Sequence, residues 1–197
     1  MTIVSLPASA FPPLALGFFG LATGYLIYGP QELFGFPKRD PQVNLATGVW
    51  GIWMPGFLQF LTGTYLFAGL TLFHTFTAGP LYMAALAFTA YGVHWFAIGY
   101  NRARGADPRP NGFMAVSFSF ISLLGLIVFY HAGDWPVGTL FVGLLLVYLS
   151  DIAATFKIGG EIGERALGLF HLLTGLWLIY LMYAATLNFA LGFHLAL

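Results

Sequence analysis

The residues able to do chemistry in this sequence stand singly inside long apolar segments. Residues 87–96 contain one histidine, His94, among aromatic and small side chains. At helical spacing, Phe88, Tyr91 and Trp95 share one side of such a segment. An aromatic side interrupted by small residues suits the lining of a narrow pore, and the same spacing is also typical of plain core packing.

Other polar groups in these segments are candidates for binding a solute or a proton. Asp151 is an acidic residue within the fifth segment, where a charge is costly and is retained for function or paired locally. Lys157 follows it closely, so local pairing is the alternative. His94 and His171 can titrate near neutral pH, but a hydrogen-bonded structural histidine explains either one equally well. Gln59 adds an amide to the second segment.

Composition places these groups in a membrane. Of the 197 residues, 59% are hydrophobic and 7% are charged, and the mean hydropathy is +0.83. Soluble domains carry about 25% charged residues. With zero net charge and no basic tract, nothing suggests nucleic-acid binding.

Cofactor chemistry is not indicated. The chain has no cysteine, and no paired helical histidine spacing points to a metal or haem site. We therefore expect no cofactor, no metal and no enzyme activity, and a membrane enzyme or haem protein is the least favoured class of function.

Six apolar segments approach or exceed the length that crosses a bilayer, roughly 20 residues. They run at about 12–30, 45–73, 78–100, 111–132, 136–156 and 165–190. Short connections rich in Gly and Pro join them. The predicted fold class is an all-α integral membrane protein in which residues 1–197 form one domain of six transmembrane helices. Pro55 lies inside the second segment and is expected to kink it.

Charge placement predicts orientation. All seven Lys and Arg residues fall in or beside the first, third and fifth connections. Cytoplasmic loops are the basic ones, so both termini are predicted on the outer side of a cell (inner or plasma) membrane. No Lys or Arg lies in the middle of a segment. A neutral solute, or a carboxylic acid carried with its proton, therefore crosses at a lower desolvation cost than an anion.

Three stretches carry a family resemblance. Ala-Phe-Thr-Ala-Tyr-Gly-Val-His-Trp (87–95) resembles the Ala/Thr-Phe-Thr/Ser-Ser-Tyr-Gly-x-Phe-Trp signature of the acetate uptake transporter family, the succinate/acetate permeases. Residues 51–63, with their glycines and a glutamine, are similar to that family's second helix. Residues 13–20 resemble the start of its first helix, although the family's asparagine is missing from residues 10–13.

This resemblance implies a six-helix protomer with its own pore, assembled as a ring-shaped homohexamer among membrane lipids. It also implies an apolar pore constriction with one residue from each odd-numbered helix: Phe19, Tyr91 and Leu146. The expected lining of the solute path adds Gln59, Phe88, His94 and Trp95. Asp151 is the candidate for proton linkage.

The loops resemble a second six-helix family, the urea/amide channels, at residues 38–41, 105–110 and 133–135. Two functions are thus carried forward. One is a channel or proton-coupled transporter for small monocarboxylates such as acetate. The other is a urea or short-chain amide channel, gated by pH. Acetate flux is expected to rise as the external pH falls, because protonation removes the charge, whereas urea permeation has no such intrinsic dependence.

Overall fold

The computed structural model describes residues 11–197, so residue 10 of the stretch compared with the family's first helix lies outside the described part. Helices make up most of it, and no strand occurs in residues 11–197. The α-helices are α1 (Phe11–Phe34), α2 (Pro41–Gly51), α3 (Leu58–Phe67), α4 (Pro80–Arg104), α5 (Arg109–His131), α6 (Trp135–Thr155) and α7 (Glu161–Leu191).

Two π-helical turns, Ile52–Phe57 and Ala68–Leu72, continue α2 and α3 without a break. The described chain therefore contains six helical rods, the second of which runs from α2 to Leu72. Pro55 lies in the first π-helical turn. A proline lacks the N–H of a regular helical hydrogen bond, and a π-helical turn is one way in which a helix accommodates that loss.

Four helices, α4 to α7, are long and apolar enough to span a bilayer in the described residues. A chain with these helices is a multi-pass membrane protein. The π-helical turns divide the second rod into α-helical pieces of 11 and 10 residues. That the chain crosses the membrane six times therefore stays a prediction.

Side chains and glycines define several helix ends. Asp40 caps α2 by accepting a hydrogen bond from the backbone N–H of Val43 at 2.8 Å. Asp134 caps α6 in the same way, accepting from the N–H of Val137 at 3.0 Å. Gly105 ends α4 in the left-handed conformation, at φ 64°, which a residue with a Cβ adopts at a cost.

The first helix extends beyond the predicted boundary at residue 30 and ends at Phe34. This extension brings Glu32 into the helix, where its side chain is buried with 8% of its surface exposed. Asp151 is therefore accompanied by a second acidic residue inside the helical bundle, one that the sequence placed in a loop.

Close contact between α3 and α4 depends on two glycines. A Cβ on Gly63 would lie 2.2 Å from Oγ1 and 2.5 Å from the backbone N of Thr89. A Cβ on Gly92 would lie 2.5 Å from the backbone N of Phe60. Small residues at such crossings let two membrane helices approach until their backbones touch. This contact holds the polar and aromatic side chains of α4 against α3.

We expect Gly63→Ala to destabilise the protein by about 1–3 kcal/mol, because the added methyl group meets backbone atoms that cannot move aside. The measurement is the thermal unfolding of purified protein in detergent. Gly79→Ala is the matched control, since a Cβ at Gly79 meets no atom within 4 Å. Equal melting temperatures for the two variants would contradict the close approach of α3 and α4.

Candidate functional site: two cavities and an aromatic layer

An apolar cavity of about 460 Å³ lies at one end of the bundle, where α1, α4 and α6 begin. Its walls include Phe18 and Leu21 of α1, Phe88 of α4 and Leu144 of α6. Among the described lining residues there is no Lys, Arg or His, and Asp134 at the start of α6 is the carboxylate. Such a cavity favours small uncharged solutes over ions.

The amide of Gln59 is the polar group in the wall of the apolar cavity that lacks a partner. Gln59 is 1% exposed, and neither Nε2 nor Oε1 makes a hydrogen bond within residues 11–197. An unsatisfied buried amide costs free energy of about 1–3 kcal/mol per group. A solute with both a hydrogen-bond acceptor and a hydrogen-bond donor would pair with both atoms of the amide and remove that cost.

A polar cavity of about 500 Å³ lies at the opposite end, where α1, α4 and α6 end and α7 begins. Besides His94, its walls contain seven acidic, basic or histidine side chains: Glu32, Arg39, Arg102, Asp151, Lys157, Glu164 and His171. Arg39 and Glu164 form a salt bridge of 2.7 Å at the rim. This cavity can hold an ion and its counter-charges, which the apolar cavity cannot.

An aromatic layer, consisting of Tyr25, Tyr91, Trp95 and Tyr148, lies where the two cavities approach each other. All four side chains are at most 3% exposed. Tyr91 borders the apolar cavity and Tyr148 the polar one. Their rings are stacked at a centroid distance of 5.7 Å. The Tyr91 hydroxyl is 3.0 Å from the Ser122 hydroxyl, and this hydrogen bond orients the ring.

Glu32 and His171 join the first helix to the last inside the polar cavity. The Nδ1 atom of His171 is 2.5 Å from Oε2 of Glu32, and both side chains are buried. The Tyr25 ring packs on the His171 ring at 4.4 Å between centroids. Asp151 lies in the same cavity, and its Oδ1 accepts a hydrogen bond from Thr155 Oγ1 at 3.2 Å. His171 thus contacts both Glu32 and Tyr25, and so it positions an acidic side chain of the cavity and one residue of the aromatic layer.

His94 is buried between the aromatic layer and the helix α5. Its ring lies 4.6 Å from that of Phe118, and neither ring nitrogen has a hydrogen-bond partner in residues 11–197. The side chain borders the polar cavity and also a groove between α4 and α5. A solute carboxyl or a water molecule at this point would find both a donor and an acceptor.

The sequence-predicted site residues divide into two groups. Six line the cavities or the layer: Gln59, Phe88, Tyr91, His94, Trp95 and Asp151. Phe19 and Leu146 are instead on the outer surface of the bundle, with 41% and 36% of their surface exposed. Their neighbours Phe18 and Leu144 face the apolar cavity. Adjacent residues of a helix point about 100° apart, so a shift of one or two positions exchanges the inner and outer faces.

Four residues of the site were not predicted from the sequence: Tyr25, Glu32, Arg102 and Tyr148. The signal was present in the first helix, where Phe18, Tyr25 and Glu32 recur at a spacing of seven residues and so share one face. Because an acidic residue inside a membrane helix usually has a function, Glu32 at the end of this row indicates a functional face of the helix as well as a packed one.

Comparison with known proteins bears on the fold. No protein-family model matches the sequence, and no curated protein matches it. Among solved structures, the chain is similar to the bacterial acetate channel SatP, with a TM-score of 0.73 and 18% sequence identity over 91% of this chain and 94% of the other. The class of protein is therefore an all-helical membrane protein with the fold of that channel.

We expect Glu32→Ala to destabilise the protein by about 2 kcal/mol, because it removes a buried hydrogen bond and leaves Nδ1 of His171 without that partner. Thermal unfolding in detergent measures the change. The control is Glu161→Ala, which removes an exposed ion pair to Arg165 on α7 and should leave the melting temperature nearly unchanged. A Glu32→Ala variant as stable as the control would contradict the importance of the pair.

Burial raises the pKa of Asp134 above its ordinary value, against the lowering effect of its backbone hydrogen bond to Val137. The folded state therefore binds the proton more tightly than the unfolded state. Ionisation of Asp134 therefore lowers the free energy of unfolding. This destabilisation is absent below the pKa of the group in the unfolded chain and grows as the pH rises through its pKa in the folded protein. Asp134→Asn keeps a capping side chain and removes the titration. We expect the variant to gain melting temperature over wild type more at neutral than at acid pH, and a uniform gain at both would contradict this assignment.

Proposed function

We propose that this protein is a membrane channel or proton-coupled transporter for small monocarboxylates such as acetate. The observation that carries the proposal is the arrangement of two cavities at opposite ends of the bundle, separated by a layer of buried aromatic side chains. A path through such a layer admits a small, poorly hydrated solute and rejects hydrated ions. The fold shared with a bacterial acetate channel supports the proposal.

The form of the solute that crosses is the neutral acid. A carboxylate anion in the apolar cavity would meet Asp134 and no cation among the described lining residues. The protonated carboxyl group presents a carbonyl acceptor beside a hydroxyl donor. The Gln59 amide presents the complementary donor and acceptor, and neither has a hydrogen-bond partner within residues 11–197. Gln59 therefore recognises the acid in its protonated form, which links acetate flux to the proton.

A short amide or urea has the same pair of donor and acceptor groups, and the free amide of Gln59 therefore also favours the second candidate function, a urea or amide channel. The two functions differ in their dependence on pH. Lowering the external pH increases the neutral fraction of acetate and does not change the charge of urea.

Tyr91, at the boundary of the layer, is the proposed constriction, together with Phe18 and Leu144 in place of the outward-facing pair. Asp151 in the polar cavity is the proposed proton acceptor on the basic side, which we propose faces the cytoplasm. Phe19 and Leu146 then contact lipid or neighbouring protomers of a ring-shaped homohexamer.

Uptake into proteoliposomes tests the function directly. Labelled acetate and labelled urea are compared at neutral and acid external pH, in vesicles with and without the protein. Protein-dependent acetate entry that increases at acid pH supports the proposal. Entry of urea or acetamide without acetate would overturn it in favour of the amide channel.

We expect Tyr91→Ala to open the aromatic layer and to raise the entry of larger monocarboxylates several-fold relative to acetate, because the ring no longer fills the path. Tyr183→Ala is the control, since it removes a tyrosine that is 56% exposed on α7. The measurement is competition by acids of increasing chain length. Selectivity equal to that of the control would remove Tyr91 from the constriction.

A further inference from the structure

The wall of the polar cavity contains an arginine, Arg102, that forms no salt bridge within residues 11–197. Arg102 lies in the last turn of α4, and its guanidinium group packs over the Tyr28 ring at 4.4 Å from the centroid. Its Nε and Nη2 atoms are buried and make no hydrogen bond to any residue between 11 and 197. Guanidinium N–H groups that are shielded from water without an acceptor are costly, so these two groups favour binding of an anion.

The acidic residues of the cavity are already engaged elsewhere. Glu32 is paired with His171 at 2.5 Å, and Glu164 is paired with Arg39 at 2.7 Å. Asp151 accepts its hydrogen bond from Thr155. No salt bridge to Arg102 occurs among the described residues. The arginine is therefore available to a ligand rather than committed to holding the fold together.

The two unpaired atoms define the shape of that ligand. Nε and Nη2 lie on the same edge of the planar guanidinium group, and their N–H bonds point in parallel. This edge matches the two oxygens of a carboxylate, which it binds through two parallel hydrogen bonds. A single chloride ion would have to accept from both donors along bent hydrogen bonds, whereas a carboxylate offers one oxygen to each. The edge is shielded from water, and Arg102 lies in the wall of the polar cavity.

We propose that Arg102 is a binding site for the carboxylate anion at the polar end of the path. The inference rests on the proposed function, and it assigns the form of the solute at each end. The neutral acid is recognised in the apolar cavity and releases its proton in the polar cavity. The O–H bond of the acid breaks, a carboxylate of the cavity or water takes the proton, and the anion remains on the guanidinium group of Arg102.

Acetate binding to the purified full-length protein in detergent at neutral pH tests this site. Saturation-transfer NMR on the acetate methyl group gives the dissociation constant, and acetamide serves as the uncharged probe of the same shape. Arg102→Gln is expected to weaken acetate binding about tenfold or more and to leave acetamide binding unchanged. Arg104→Gln is the matched control, because Arg104 is exposed two residues away on the same helix and does not line the cavity.

Arg102→Lys keeps the charge and loses the two-donor edge, so it distinguishes the carboxylate site from a general effect of positive charge. Acetate affinity is expected to fall in this variant too, with an unchanged melting temperature. If Arg102→Lys binds acetate as tightly as the wild type, the proposed role of the two parallel donors is overturned. Equal losses for acetate and acetamide in Arg102→Gln would overturn the anion site.

The flux measurement separates this inference from the proposed function. If the protein conducts acetate into vesicles but the Arg102 substitutions do not change acetate binding, the inference is overturned and the proposed function stays in place. Binding that depends on Arg102, in a protein that conducts urea and not acetate, would overturn the function and leave the anion site.

Discussion

The contact between the first and the last helix closes the bundle. It combines a close backbone approach with a buried polar pair. A Cβ on Gly168 would lie 2.4 Å from the backbone N of Leu33, so α1 and α7 touch at this point. One turn farther, Glu32 meets His171 at 2.5 Å. Both side chains are buried, and separating them would leave polar groups without a partner, so the pair sets the register of the two helices.

Much of the site follows from that register. Tyr25 packs on His171 and lies 6.1 Å from Trp95, so the α1–α7 contact positions one side of the aromatic layer. The other side depends on α4, which is held against α3 at Gly63 and Gly92. Two glycine-mediated crossings thus place aromatic residues from separate parts of the chain in one layer.

The two ends of the bundle have opposite electrostatic character. Within residues 11–197, the apolar cavity has an amide without a hydrogen-bond partner and the carboxylate of Asp134, while the polar cavity has hydrogen-bonded acids and an arginine with two N–H groups that lack an acceptor. A neutral acid is therefore more stable at one end and its anion at the other. Under the proposed function, this difference sets the end of the path at which the acid releases its proton.

The sequence by itself determined that the chain is a helical membrane protein, because long apolar segments with little charge are stable as helices in lipid. It also singled out Gln59, Tyr91 and His94 as polar or aromatic groups inside apolar segments, and the structure places all three in cavity walls. Only the tertiary structure decided that Phe18 faces inward while Phe19 faces outward, since helix neighbours select the buried face. It alone brought together Glu32 and His171, which are 139 residues apart. Such a pairing depends on helix packing, and local propensity contains no information about it.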